Sequence, residues 1–116
     1  AWYETMQEFT TKNTKALTYM AEASGTDLAG YQAQLDSTNM FYTPSAAVKF
    51  TTSDQLVKTM KQVAEFSFDK GLLGEGAADA NFIGMSYPGG VTSGESSNIK
   101  LRFDATYMQM AADNSL

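Results

Sequence analysis

Apolar positions recur at helical spacing as far as about residue 70, and beyond it they alternate. Trp2, Met6 and Phe9 fall at i, i+4 and i+7 with Tyr3 beside them, which predicts an amphipathic helix to about Thr11, broken over "TTKN". Asn13 or Thr14 is placed to cap a second helix striped by Leu17, Met20 and Ala21 and ended by Gly25. Thr26 is expected to cap a third, with Asp27 in its first turn and Leu28, Tyr31 and Leu35 at helical spacing. Three short helices joined by brief loops imply antiparallel neighbours packed on one another.

Thr43-Pro44 reads as an N-cap followed by proline at the first helical position, opening one or two turns through Lys49. Thr52 and Gln55 have the spacing of a capping box at the head of the strongest helix, about Ser53 to Lys70. Val57, Met60, Val63, Ala64 and Phe68 share one face of it, with Leu56 beside them, and Gly71 ends it. After "LLGEGAADA" the pattern changes. "NFIGMSYP" and "NIKLRF" read as strands, and in the second Ile99, Leu101 and Phe103 alternate with Lys100 and Arg102. They predict a two-stranded β-ribbon, Asn81–Pro88 with Asn98–Phe103, joined by the flexible stretch "GGVTSGESSN". Asp104 then caps a last helix with Tyr107, Met108 and Ala111 available for packing. The expected fold is α+β and mainly helical, about five helices, the ribbon and a C-terminal helix in a single domain, 1–116, with no internal repeat.

Composition narrows the chemistry. Of 116 residues, 43% are hydrophobic and 18% charged, the balance of a globular chain. No apolar run approaches the roughly 18 residues of a membrane-spanning helix. A net charge of −5, with scattered lysines and Arg102 as the one arginine, argues against a nucleic-acid partner. The chain has neither histidine nor cysteine, which excludes zinc sites with nitrogen or sulfur ligands, histidine triads, cysteine nucleophiles and disulfides. What remains is carboxylate, lysine, tyrosine or serine chemistry or no chemistry at all, and the expectation is no chemistry, with no cofactor or metal.

The Gly89 to Asn98 stretch lacks Walker order, because Glu95 follows Gly94 where lysine is needed, so it reads as a connection. Asp69, Glu75 and Asp79 do not have EF-hand spacing and read as surface carboxylates. The seven methionines fall mostly on core faces, which favours packing over a soft-metal role. Trp2, Tyr3, Phe41 and Tyr42 are the aromatics to watch: they pack internally, form a stacking wall for a ligand, or belong against more protein.

Several stretches, in order, carry a resemblance: "AWYETM", "ALTYMAEASGTDLAGYQAQL", "FTTSDQLVKTMKQVAEFSFDKGLL", "FIGMSYPGG" and "NIKLRFDATYMQMAADNSL". Together they resemble the C-terminal portion of extracytoplasmic solute-binding proteins of ABC transporters, of the nitrate/sulfonate/taurine type. The resemblance covers essentially the whole chain, and its "IKLRFDATYM" ending is the most distinctive part. It implies part of a two-lobed periplasmic-binding-protein type II fold, and a small polar solute delivered to the membrane permease of an ABC importer. The location would be periplasmic or otherwise extracytoplasmic. The helix already under way at residue 1 would then have lost its upstream partner, the N-terminal portion of the same protein. By position Trp2, Tyr3 and Glu4 would lie near the cleft mouth, where an indole face beside a carboxylate suits an amine or urea-like group. Two other readings stay open: a free-standing helical module for protein–protein interaction, and a small enzyme using carboxylate, lysine or tyrosine in a deep pocket.

Overall fold

Helix ends organise this fold as much as helix faces do. The computed structural model describes residues 2–11 and 13–115. Among them are six helices, α1 (Trp2–Thr10), α2 (Thr14–Ala23), α3 (Leu28–Asp36), α4 (Pro44–Thr51), α5 (Asp54–Asp69) and α6 (Thr106–Ala112). Three short strands, β1 (Gly84–Ser86), β2 (Thr92–Ser93) and β3 (Ile99–Arg102), complete an α+β, mainly helical chain. Contacts divide it into two compact units, Ala1–Ala47 and Val48–Leu116.

In the first unit α2 packs against both α1 and α3. Asn13 caps α2, its side-chain oxygen accepting from the Ala16 N–H at 3.3 Å. Its amide nitrogen donates to Glu8 Oε2 at 2.6 Å, tying the cap to the last turns of α1. The end of α2 is a Schellman motif: Thr26 N–H bonds the Ala21 carbonyl, Gly25 N–H bonds that of Glu22, and Gly25 sits at φ +71°. The cap of α3 is Asp27, whose Oδ1 accepts from Gly30 N–H at 2.7 Å, and not Thr26 as the sequence suggested. The Schellman turn already uses Thr26 to close α2, so capping passes to the next residue. Met6, Leu17 and Ala21 are the buried apolar side chains of α1 and α2. Thr43 caps α4 as expected, accepting from Ala46 N–H at 3.2 Å.

In the second unit α5 carries the core. Leu56 and Ala64 are buried with Met85 and Tyr87, and Phe50, Val57, Met60 and Phe103 pack on them. Val63, expected on this face, is 46% exposed and Phe66 59% exposed. The buried arc is centred between Met60 and Ala64, and at 100° per residue Val63 falls on its flank and Phe66 on the far side. The expected capping box is absent too. Ser53 caps α5, accepting from Leu56 N–H at 3.3 Å, while the Thr52 hydroxyl donates to Val48 O at the end of α4. Gln55 donates instead to Thr59 Oγ1 at 3.1 Å. Gly71, at φ +68°, closes α5 by the same Schellman pattern, Leu72 N–H to Ser67 O at 2.8 Å.

The two-stranded ribbon is corrected to a three-stranded mixed sheet in the order β2-β1-β3. The stretch read as a flexible connection is ordered. It contains a 3-10 turn over Pro88–Gly90, strand β2, and a second such turn over Ser96–Asn98. β2 pairs antiparallel with β1, and Tyr87 N–H bonds the Val91 carbonyl at 2.8 Å across the turn. β3 then pairs parallel to β1, Met85 opposite Leu101, with an irregularity between Gly84 and Met85 that takes up Lys100. Two residues of Thr-Ser are too short and too polar to register as a strand by alternation. The third unlabelled pairing partner was therefore invisible in the hydrophobic pattern.

Two glycines make the sheet possible. A Cβ on Gly84 would overlap the Glu95 carbonyl oxygen, and one on Gly94, at φ +71°, would overlap that of Ile83. The two backbones lie against each other here, and Glu95 N–H bonds Asn81 O at 2.7 Å beside the approach. Tyr87 locks the other end. Its ring stacks on Phe103 at 5.1 Å between centroids and 5° between planes, and its hydroxyl meets Ser93 Oγ at 3.0 Å and Met85 Sδ at 3.4 Å. All seven methionines are at least partly buried, in keeping with a packing role.

Candidate functional site

Trp2, Tyr3 and Glu4 occupy the first turn of α1. Consecutive helical residues are rotated by about 100°, so this trio fans around the helix and Trp2 and Glu4 point to different sides. Trp2 is 69% exposed, Glu4 is exposed and Tyr3 is half-buried. Neither recess described next is lined by any of the three.

In the first unit, a cleft of about 220 Å³ is lined by Phe9, Leu17, Gln32, Leu35, Asp36 and Tyr42. Three of these lie on α3 at i, i+3 and i+4, the spacing that puts side chains on one helix face. Leu17 stands in the first turn of α2 and is buried, so it forms the floor. The Asn13–Glu8 link fixes the end of α1, and with it Phe9, against the start of α2. Tyr42, from the segment between α3 and α4, is half-buried like Phe9. The cleft therefore combines two aromatic rings, two leucines, one amide and one carboxylate.

Asp36 is the last residue of α3. A carboxylate there lies at the negative end of the helix dipole, where its charge opposes helix stability. The free ends of α3 are served by other groups: the Ser37 and Thr38 hydroxyls both donate to Gln34 O, at 2.9 and 2.7 Å. The Asp36 and Gln32 side chains take part in none of this capping. The hydrophobic pattern marks Leu17, Leu35 and Phe9 as packing residues and Tyr42 stands out as an aromatic, whereas Gln32 and Asp36 do not stand out in the sequence. The available signal was an i, i+4 polar pair on an otherwise apolar helix face, one member placed at the wrong end for capping.

The second recess, about 250 Å³, lies in the other unit and is lined by Ala78, Asp79, Asn81, Phe82, Gly94 and Glu95. Its carboxylates already have work in the backbone. Asp79 Oδ1 accepts from Asn81 N–H at 2.7 Å, and Glu95 Oε1 accepts from the N–H and hydroxyl of Ser97 at 3.0 and 2.9 Å. The Ser97 N–H, then its hydroxyl, hold the Glu95 carboxyl below its ordinary value of 4.5. The Thr106 hydroxyl, then its N–H, lower Asp104 from 3.8 in the same way at the head of α6. A carboxyl depressed by folding adds stability above its unfolded pKa and loses it as pH falls through the folded value. The 95–98 turn is therefore expected to loosen on acidification below about 4.5. The protection of Ser97 N–H, taken relative to its intrinsic exchange rate at each pH, should fall there in the parent, and the Glu95→Gln variant should lack that pH-dependent step. An unchanged profile in that variant would show that Glu95 does not fasten the turn.

Among the described residues no three carboxylates gather where a metal ion would be held, and no helix is long and apolar enough to cross a membrane. No family model, curated protein or solved structure matches the chain. The geometry of the first-unit cleft and the character of the exposed surface are what bear on function.

Proposed function

We propose that the chain is the C-terminal part of a two-lobe extracytoplasmic solute-binding protein of the nitrate/sulfonate/taurine type. It would close around a small polar solute and deliver it to the membrane permease of an ABC importer, without catalysing a reaction. The observation that carries this reading, beside the resemblance of sequence, is the apolar surface left uncovered. Trp2, Tyr19, Phe66, Leu72 and Tyr107 are each more than half exposed, and among the described residues no large side chain is fully buried. The chain exposes 8067 Å². Even two wholly separate compact bodies of these sizes would expose only about 7500 Å². The excess therefore belongs to the units themselves, and aromatic surface of this kind fits against further protein.

In this reading the rest of the polypeptide covers α1, and Trp2, Tyr3 and Glu4 border the solute cleft. Trp2 is the only tryptophan, so its fluorescence reports on that place alone. The 116-residue chain should show the emission of a hydrated indole. In the full reading frame, the difference spectrum against Trp2→Phe should be blue-shifted and should respond to a cognate solute in a panel of small polar compounds. A full-length protein whose Trp2 stays hydrated and ignores the whole panel would sink the proposal. Concentration-dependent burial of Trp2 in the 116-residue chain alone would favour the free-standing interaction module instead.

A further inference from the structure

We propose that the cleft between α1, α2 and α3 is a binding site for a small organic ammonium ion carrying an apolar or aromatic body. The inference stands on that cleft alone and is independent of the two-lobe reading.

The cleft's size sets the ligand's size. An engineered protein cavity of about 150 Å³ admits one benzene ring, and this cleft holds about 220 Å³. It has room for one ring or short branched chain with a polar head, and is smaller than the pockets that take drug-sized ligands. Its floor, Leu17 and Leu35, suits the apolar body, and the half-buried Phe9 and Tyr42 add two aromatic rings of the kind that attracts a cation.

The polar groups set the charge. Among the described residues Asp36 is the one formally charged side chain of the lining, so those residues give the cleft a negative charge, and it lies beside the negative end of α3. A carboxylate and a helix C-terminus together favour a cation in the same place. Gln32, one turn earlier on the same face, supplies a carbonyl oxygen as a second acceptor for an ammonium N–H. An anion would meet repulsion from both Asp36 and the dipole, and a neutral alcohol would forgo the charge-assisted bond. This placement also explains the cost accepted at Asp36. A side chain that opposes its own helix and caps nothing is accounted for by a ligand of opposite charge.

The test uses the 116-residue protein and three probes of one shape: 2-phenylethylammonium, the neutral 2-phenylethanol and the anion phenylacetate. Binding is followed by amide and side-chain NMR shifts. The ammonium should bind saturably, with shifts centred on Phe9, Gln32 and Tyr42. The alcohol should bind about tenfold more weakly or worse, and phenylacetate not measurably. Asp36→Asn should erase the preference for the ammonium over the alcohol. Asp36→Lys should reverse the order in favour of phenylacetate, a result that a merely structural aspartate would not give. Asp36 is exposed, so both variants are expected to keep the parent's far-ultraviolet circular dichroism. Equal binding of the three probes, shifts centred outside the cleft, an order unchanged in the two variants, or no saturable binding would each overturn the site.

Discussion

Replacing Tyr87 with alanine is expected to remove about half or more of the stability of the sheet-bearing unit. Tyr87 is 6% exposed and joins three things at once: the α5 core, the Phe103 ring and the β2 hydroxyl of Ser93. Truncating a buried aromatic costs about 3–5 kcal/mol through lost transfer energy and the cavity left behind. At about 0.1 kcal/mol per residue, a unit the size of Val48–Leu116 has about 7 kcal/mol in all. Denaturant titration followed in the far ultraviolet should place the variant's midpoint at roughly a third to a half of the parent's. Tyr87→Phe separates packing from polarity. It keeps the stack and loses only the hydroxyl contacts, and should cost about 1 kcal/mol. Should the alanine variant lose no more than the phenylalanine one, the stack on Phe103 does not hold the unit together.

Gly84→Ala is expected to do comparable harm by the opposite route. The added Cβ would meet the Glu95 carbonyl and the Ile99 side chain, and the first of these is backbone and cannot swing aside. Overpacking typically costs about 1–3 kcal/mol, and the upper end applies where a strand pairing must move. Exchange protection should fall at Glu95 N–H, which bonds Asn81 O, and along the β1–β3 pairing. Gly76→Ala is the control. Its Cβ would meet nothing within 4 Å and its φ is not positive, so it should be neutral or stabilise by about 0.5 kcal/mol. Equal stability of the two variants would mean that the close approach at Gly84 has room to relax.

The helices were legible because their signals are local and redundant. α5 shows it best, with a periodic face, a hydroxyl at its head and Gly71 at its foot all agreeing within a residue. Where two hydroxyls compete for adjacent roles, as Thr52 and Ser53 do, the sequence names the device but not which residue operates it. The sheet was legible only in part. "FIGMSYP" and "IKLRF" announce extended chain, but the parallel pairing and the small third strand follow from how the turn at Pro88–Gly90 folds back. They also depend on whether the chain at Gly94 fits against Gly84. Those are steric facts about backbone, invisible to a hydrophobic pattern. The cleft was hidden for a different reason. Its apolar residues look like core in one dimension, and Asp36 gains meaning only once α3 is known to end there.

Parallel strands ordinarily need a crossover of a dozen or more residues, most often a helix that must itself be packed. Here the chain between β1 and β3 is its own crossover, and it contains the third strand of the same sheet. The whole sheet closes within the segment from Gly84 to Arg102. Joining its ends costs the entropy of one short loop, which grows only with the logarithm of loop length. Mixed sheets are usually slow to assemble because their pairings are distant along the chain. This one consists of near-neighbour pairings, so loop closure is not expected to limit the rate at which it forms.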